Sequence, residues 1–231
     1  MKKRLFAIAL SLCMTLSLLP TAAFAAETET GETGAITVQE EEFSSLNDAM
    51  KGEEKEFTLT LEKDTTEDVV VPAGKNVTLD LNGKTLTNKS GHTITVSKGA
   101  TLTIEGKGIV DNVTHAKAAL RVDEGATVIL NGGTFTRSKE NGKSEENSGG
   151  NSFYNIQNYG KLTVNEGVEV SQNGHFSSLV ENGYYNGAKQ RQDANNIPTM
   201  IINGGTFSGG INTLKNDDYG VMEGNGGLIT N

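Results

Sequence analysis

One short pattern recurs along the chain, and few folds can accommodate it. Each copy has alternating apolar residues, then a corner that contains glycine, then another apolar residue. Six imperfect copies are found, at residues 74–86, 99–109, 125–135, 160–170, 199–207 and 221–229. The corner glycines recur roughly every 22 to 37 residues, and periods of about 20 to 50 residues are typical of proteins that stack one structural unit.

The repeated unit is built from strands. No copy contains a helical pattern of apolar residues, which excludes helical and leucine-rich solenoids, and the chain has no Trp for the Trp-Asp signature of a propeller. The predicted fold is an all-β, right-handed parallel β-helix of about six to seven coils. One inward file is expected at Leu79, Ile104, Leu130, Val164 and Ile202. A second inward row, beyond the glycine corner, is expected at Leu86, Ile109, Phe135, Val170, Phe207 and Ile229.

The N-terminus has the features of a secretory signal peptide over residues 1–25. Residues 2–4 are basic, residues 5–19 are apolar, and Ala-Phe-Ala at 23–25 supplies the small residues that signal peptidase requires. The apolar stretch is too short, and wrongly flanked, for a membrane span. The sequence therefore predicts a secreted protein that has no membrane segment after cleavage.

Cleavage of this segment changes the composition of the chain. It leaves roughly 17 basic residues against 29 acidic ones, a net charge of about −12. A charge this negative argues against nucleic acid and anionic membranes as partners. Cys13, the only cysteine, is lost with the signal peptide, so the mature chain cannot form a disulfide bond within itself.

Two short segments precede the repeats. Residues 26–42 are acidic and poor in apolar residues, and they are predicted to form a flexible linker. Residues 43–51 have apolar residues at helical spacing behind Ser44 or Ser45 as the N-cap, which predicts a short helix covering the apolar end of the first coil. The alternative is a helix packed on the side of the column. The β-helix domain is expected over residues 43–231.

No capping pattern follows the last repeat. An uncapped apolar end would be adhesive, so we expect either a longer parent protein with further C-terminal modules or end-to-end association with another chain.

Three asparagines occupy matching positions in the later repeats. Asn158, Asn182 and Asn216 each follow an apolar residue and a polar one. They are predicted to lie at corners, where their amides would satisfy backbone groups as the chain bends.

Two long spacings between repeats mark insertions, at residues 137–151 and 183–198. The first is polar and rich in Gly and Ser. The second contains Tyr184, Tyr185 and Arg191, which could offer flat faces to sugar rings and a charged hydrogen-bond donor. These three residues are the predicted binding site. The alternative is that the tyrosines fold back to cover the edge of a coil.

Parts of the repeated pattern resemble a known family. The segment VVVPAGKNVTLDLNGKTLTN and the later repeated GGTF corners are similar to those of the pectin-lyase-like, right-handed β-helix proteins that bacteria secrete. More narrowly, they resemble large adhesin-like surface proteins of gut Firmicutes. The resemblance covers about residues 43–231. It implies a β-helix that is displayed outside the cell, often within a longer multi-module chain.

The enzymes of this family have catalytic segments that this chain lacks. Asp217-Asp218 is the only pair of adjacent aspartates in the repeats, but no Asn-Thr-Asp, His-Gly or Arg-Ile-Lys segment accompanies it, and a solvated turn is the predicted role. His92 and His115 are solitary, and no calcium-binding loop pattern occurs. No catalytic residue, metal ligand or cofactor is therefore predicted.

These observations favour a non-enzymatic extracellular or cell-surface module that binds a glycan or a component of a host surface. One alternative is a polysaccharide-active β-helix enzyme that has diverged or lost its activity. Another is a purely structural spacer between other modules.

Overall fold

The computed structural model describes residues 36–38, 41–140, 153–173, 178–184, 196–217 and 219–231. The chain divides into residues 1–32, which lie outside this description, and residues 33–231, to which everything below refers. No helix among the described residues has the length and apolar character needed to cross a membrane.

Strands make up nearly all the regular structure. In chain order they are β1 (Ile36–Val38), β2 (Glu41–Phe43), β3 (Glu56–Leu61), β4 (Thr65–Thr66), β5 (Val69–Val71), β6 (Asn76–Asp80), β7 (Thr85–Thr87), β8 (Ile94–Val96), β9 (Thr101–Glu105), β10 (Ile109–Asp111), β11 (Leu120–Val122), β12 (Thr127–Leu130), β13 (Gly133–Thr136), β14 (Tyr154–Asn158), β15 (Lys161–Val164), β16 (Val168–Gln172), β17 (Ser178–Asn182), β18 (Thr199–Ile202), β19 (Thr206–Gly209), β20 (Leu214–Asn216), β21 (Val221–Gly224) and β22 (Leu228–Thr230). Helix α1 spans Leu46–Ala49, and a 3₁₀ turn spans Ser138–Glu140.

The strands form three parallel sheets, because each strand pairs with the strand that lies three positions earlier in the chain, one coil before it. Sheet A has the order β3-β6-β9-β12-β15-β18-β21, sheet B the order β4-β7-β10-β13-β16-β19-β22, and sheet C the order β5-β8-β11-β14-β17-β20. Each coil thus contributes one strand to each sheet. This topology confirms the predicted right-handed parallel β-helix and its number of coils.

The inner face of sheet A confirms the predicted single file of side chains. Leu79 pairs with Ile104, which pairs with Leu130, and the register continues to Val164 and Ile202. All five side chains are buried in one core cluster. The file arises because side chains of a strand alternate between faces and parallel strands stack in register.

The second row needs one correction. Val110, not Ile109, pairs with Leu86 and Phe135, and Ile109 is 40% exposed. The corner between β9 and β10 contains one more residue than the Gly132-Gly133 corner that follows β12. The extra residue moves the inward position along by one, and a shift by one residue turns a side chain to the other face.

The predicted N-terminal cap helix is confirmed, but it spans Leu46–Ala49 rather than residues 43–51, since Phe43 belongs to β2. Helix α1 begins after Ser45, whose hydroxyl accepts a hydrogen bond from the backbone N–H of Asp48 at 3.0 Å. Leu46, Ala49 and Met50 are buried in the core at the first coil.

The predicted linker over 26–42 is wrong at its C-terminal end. Strands β1 and β2 form an antiparallel pair, and β1 also pairs antiparallel with β3 at the edge of sheet A. The ordered fold therefore begins before Phe43, although this stretch is acidic. Its alternating Ile36 and Val38 suit a strand that an existing sheet edge can complete.

Asparagine side chains line two corners of the column. Asn158 Nδ2 donates to Asn182 Oδ1 at 2.7 Å, and Asn182 Nδ2 donates to Asn216 Oδ1 at 2.6 Å. The Asn158 and Asn182 amides also donate to backbone carbonyls at the starts of β18 and β21, as predicted. A second ladder that was not predicted runs along the corner between sheets A and B, through Asn131, Asn165, Asn203 and Asn225.

Candidate functional site

The structure describes one of the three predicted binding residues. Tyr184 lies two residues after the end of β17 and is partly exposed. Tyr185 and Arg191 lie outside the described residues, so whether they join Tyr184 stays a prediction.

Tyr184 packs face to face on Tyr159, the residue that follows β14. The ring centroids are 4.0 Å apart and the ring planes differ by 6°. The guanidinium carbon of Arg121 lies 5.2 Å from the centroid of the Tyr159 ring, and Arg121 Nε donates to Asp123 Oδ1 at 2.7 Å. Tyr159 is only 8% exposed, whereas Tyr184 is the more open ring of the stack. We call Tyr159 and Tyr184 the tyrosine stack.

A polar row runs across the outer face of sheet C beside the tyrosine stack. Arg121 pairs in register with Gln157, Gln157 with Glu181, and Glu181 with Lys215. Each of these four residues is the central residue of a three-residue segment. The residues on either side of it belong to the inner face of sheet C, because side chains alternate along a strand. Parallel strands lie about 4.8 Å apart, so the four side chains are neighbours.

Glu181 lies at the centre of this row and is 4% exposed. Tyr159 Oη donates to Glu181 Oε2 at 3.3 Å. On the other side, Lys215 Nζ donates to Tyr154 Oη at 3.1 Å and forms an ion pair with Asp217 Oδ2 at 2.8 Å. We call Tyr154, Glu181, Lys215 and Asp217 the carboxyl cluster.

Burial controls the protonation of these groups. Burial, followed by the influence of the Asp217 carboxylate, raises the pKa of Glu181 to about 7. Burial raises the pKa of Tyr154 to about 12 and that of Tyr159 well above its usual range. Burial opposes the charge of Lys215, but its contacts with Asp217 and Tyr154 outweigh this effect and raise its pKa. Near pH 7, both tyrosines are therefore neutral and Lys215 is charged, and Glu181 keeps its proton to a higher pH than an exposed glutamate does.

This cluster was not predicted from the sequence. The prediction of a solvated turn around Asp217 is wrong, because the Asp217 side chain is only 15% exposed and is paired with Lys215. The signal was present in three frames, Ile-Gln-Asn, Val-Glu-Asn and Leu-Lys-Asn, at 156–158, 180–182 and 214–216. Aligning them places Gln157, Glu181 and Lys215 in one outward row.

A second set of charged side chains lies at the end of β13. The Arg137 side chain is fully buried, and its Nε donates to the carbonyl oxygen of Lys117 at 2.8 Å. Arg137 Nη2 and His115 Nδ1 approach Glu140 Oε1 at 3.4 and 2.9 Å. Burial lowers the pKa of Arg137 to about 10. The set anchors the 3₁₀ turn to the coil before it, and its enclosed charges suit a structural role.

The chemistry available on sheet C is that of an aromatic platform flanked by hydrogen-bonding groups. Within the described residues, no three His, Cys, Asp or Glu side chains converge as a metal site would require. The fold defines the chain as a parallel β-helix repeat protein. No protein-family model, curated protein or solved structure matches it.

Proposed function

We propose that this chain is a non-enzymatic β-helix module that acts outside the cell and binds a glycan at the tyrosine stack. The observation that carries the proposal is the partly exposed ring of Tyr184, held flat against Tyr159 on a rigid sheet. Aromatic rings offer apolar faces to sugars, and binding residues are common on loops that a rigid scaffold positions.

Polar groups beside the stack support the proposal. The Arg121 side chain is 36% exposed, and its Nε is held by Asp123. A guanidinium group held in this way suits the hydroxyl groups of a sugar that lies across the tyrosine stack.

The proposed location, secreted or at the cell surface, is supported by the N-terminal segment and by the resemblance to adhesin-like β-helix proteins. The proposed partner is accordingly a glycan or another component of a cell surface.

A glycan array followed by titration of any ligand found tests the proposal. Tyr184→Ala should weaken binding at least about tenfold, because about 1.4 kcal/mol of aromatic contact is lost. Tyr219→Ala, which removes a tyrosine about half exposed in the last coil, is the matched control and should bind as the unchanged chain does. Equal affinity of the Tyr184→Ala variant and the unchanged chain would reject the tyrosine stack as the site.

A specific observation favours a second candidate, a polysaccharide-active enzyme. Glu181 is 4% exposed and burial raises its pKa to about 7, and a carboxyl group with a raised pKa can act as a general acid near neutral pH. Release of reducing ends or unsaturated sugars from polysaccharides, abolished in Glu181→Gln, would support this candidate. If the chain neither binds a glycan nor releases such products, the structural spacer is the remaining candidate.

A further inference from the structure

We infer that Gly183 is a positioning residue for the tyrosine stack, because it turns the chain so that the ring of Tyr184 closes on the face of Tyr159. Its effect on binding rests on the proposed function, whereas its effect on the two rings can be measured without a ligand.

Gly183 is level with Tyr159 of the coil before it. Asn158 pairs in register with Asn182, and the backbone N–H of Gly183 donates to the carbonyl oxygen of Asn158 at 2.9 Å. The two chains therefore run side by side for one residue beyond the paired strands. Side chains at level positions of neighbouring parallel strands lie about 4.8 Å apart. Because glycine has no side chain, the space beside the Tyr159 ring stays free for another group.

Tyr184 fills this space, although the geometry of a strand would direct its side chain elsewhere. Successive side chains of an extended chain point to opposite faces. Glu181 belongs to the outward row, so alternation would place position 183 outward and Tyr184 inward. Instead, the Tyr184 ring lies on the outward ring of Tyr159, with the centroids 4.0 Å apart and the planes within 6°. The chain therefore changes direction at Gly183.

The backbone of Gly183 has the conformation that such a change of direction requires. Its φ is +103°, a value that residues with a Cβ rarely adopt. The residue before it is fixed, because the Asn182 amide donates to Asn216 Oδ1 and to the carbonyl oxygen of Val221. The positive φ and the missing side chain of one glycine thus serve the same contact between the two tyrosine rings.

The other contacts of Tyr159 hold its ring in place to receive Tyr184. Tyr159 Oη donates to Glu181 Oε2 at 3.3 Å, and the guanidinium carbon of Arg121 lies 5.2 Å from the ring centroid. Tyr184 is partly exposed, and its position depends on the turn that precedes it. Gly183 is itself buried, so it acts on a ligand only through Tyr184.

Near-ultraviolet circular dichroism of the full chain tests the position of the ring. The chain has five Tyr and no Trp, so tyrosine rings give most of this signal. The difference between the unchanged chain and Tyr184→Ala gives the contribution of the tyrosine stack. Gly183→Ala should lose the same contribution, because a methyl group beside Tyr159 and a disfavoured φ both oppose the stack. A Gly183→Ala spectrum equal to that of the unchanged chain would overturn the positioning role.

Gly167→Ala is the matched control. Gly167 has a φ of +83°, and a Cβ there would meet nothing nearer than the Asn131 carbonyl oxygen at 3.7 Å. This variant has similar backbone strain away from the stack, so its tyrosine signal should stay unchanged. If Gly183→Ala does not fold, Gly183→Asn decides instead, since asparagine tolerates a positive φ better but still places a side chain beside Tyr159. Retention of the stack contribution in Gly183→Asn would then overturn the positioning role.

The affinity for any glycan found on the array separates the positioning role from the proposed function. Gly183→Ala should weaken binding at least about tenfold, as Tyr184→Ala does, while Gly167→Ala should bind as the unchanged chain does. If Gly183→Ala loses the stack but the unchanged chain binds no glycan, the positioning role stands and the proposed function falls. If a glycan binds through Tyr184 and Gly183→Ala keeps both the stack and the affinity, the positioning role falls and the proposed function stands.

Discussion

Phe135 lies wholly inside the column, paired in register with Val110 on one side and Val170 on the other. Its ring is among the largest fully buried side chains of the described residues. Side chains of this kind stabilise a chain whose single cysteine cannot form a disulfide bond within itself, because each contributes roughly 1.5–3 kcal/mol of apolar burial.

We expect Phe135→Ala to lower the free energy of unfolding by about 3–5 kcal/mol, because the removed ring leaves a cavity between two coils. Thr134→Ala, at the neighbouring outward position, is the control and should change stability by less than about 0.5 kcal/mol. Urea unfolding followed by circular dichroism measures both. Equal losses in the two variants would mean that the core is not organised by these inward rows.

At the scale of single elements, helix α1 depends on contacts with the first coil. It has only four residues, too few to be stable alone. The Glu67 carboxylate accepts hydrogen bonds from the backbone N–H groups of Leu46 and Asn47 at 2.9 and 3.0 Å. The Asn47 amide binds Asp68 O and Val70 N, so it takes the place of a paired strand beside β5.

We expect Glu67→Ala to cost about 1–3 kcal/mol, because two N–H groups at the start of α1 lose their acceptor in a mostly buried site. The loss should be local. Relative to the unchanged chain, hydrogen exchange should speed up more at β5 than at β12. Glu54→Ala, which removes an exposed acid near the same end, is the matched control. Unchanged exchange at β5 in Glu67→Ala would show that the cap is held by apolar contacts alone.

At the scale of the whole molecule, the described column is a one-dimensional stack in which each strand pairs with the coils before and after it. Stability in such proteins is approximately a sum over coils and the interfaces between them. A coil at either end of the described column has a neighbouring coil on one side only. The first coil is covered by α1, whereas Leu228 and Ile229 in the last coil are 58% and 51% exposed.

Export is a property of the whole chain, and it stays a prediction. Expressed with its own N-terminus in a bacterium, the protein should leave the cytoplasm and begin at Ala26, because Ala23 and Ala25 suit signal peptidase. Intact mass and N-terminal sequencing measure this. Ala25→Arg should block cleavage and keep the longer mass. If the chain without this substitution is not cleaved, the prediction of a signal peptide is wrong.

Local sequence patterns predict the parallel β-helix, the file from Leu79 to Ile202 and the corner role of Asn158, Asn182 and Asn216. All of these follow from local patterns, since alternation along a strand and glycine at a corner are properties of a few consecutive residues. The cap was predictable for the same reason, because Ser45 and the apolar spacing after it lie within one short segment.

The features that depend on how the coils align could not be predicted from local patterns. Val110 displaced Ile109 from the core because corner length, not alternation, sets which residue faces inward. The linker prediction failed at β1 and β2 because an acidic segment can still complete the open edge of a sheet. The carboxyl cluster and the tyrosine stack arise from residues of different coils, which parallel stacking brings within hydrogen-bonding distance.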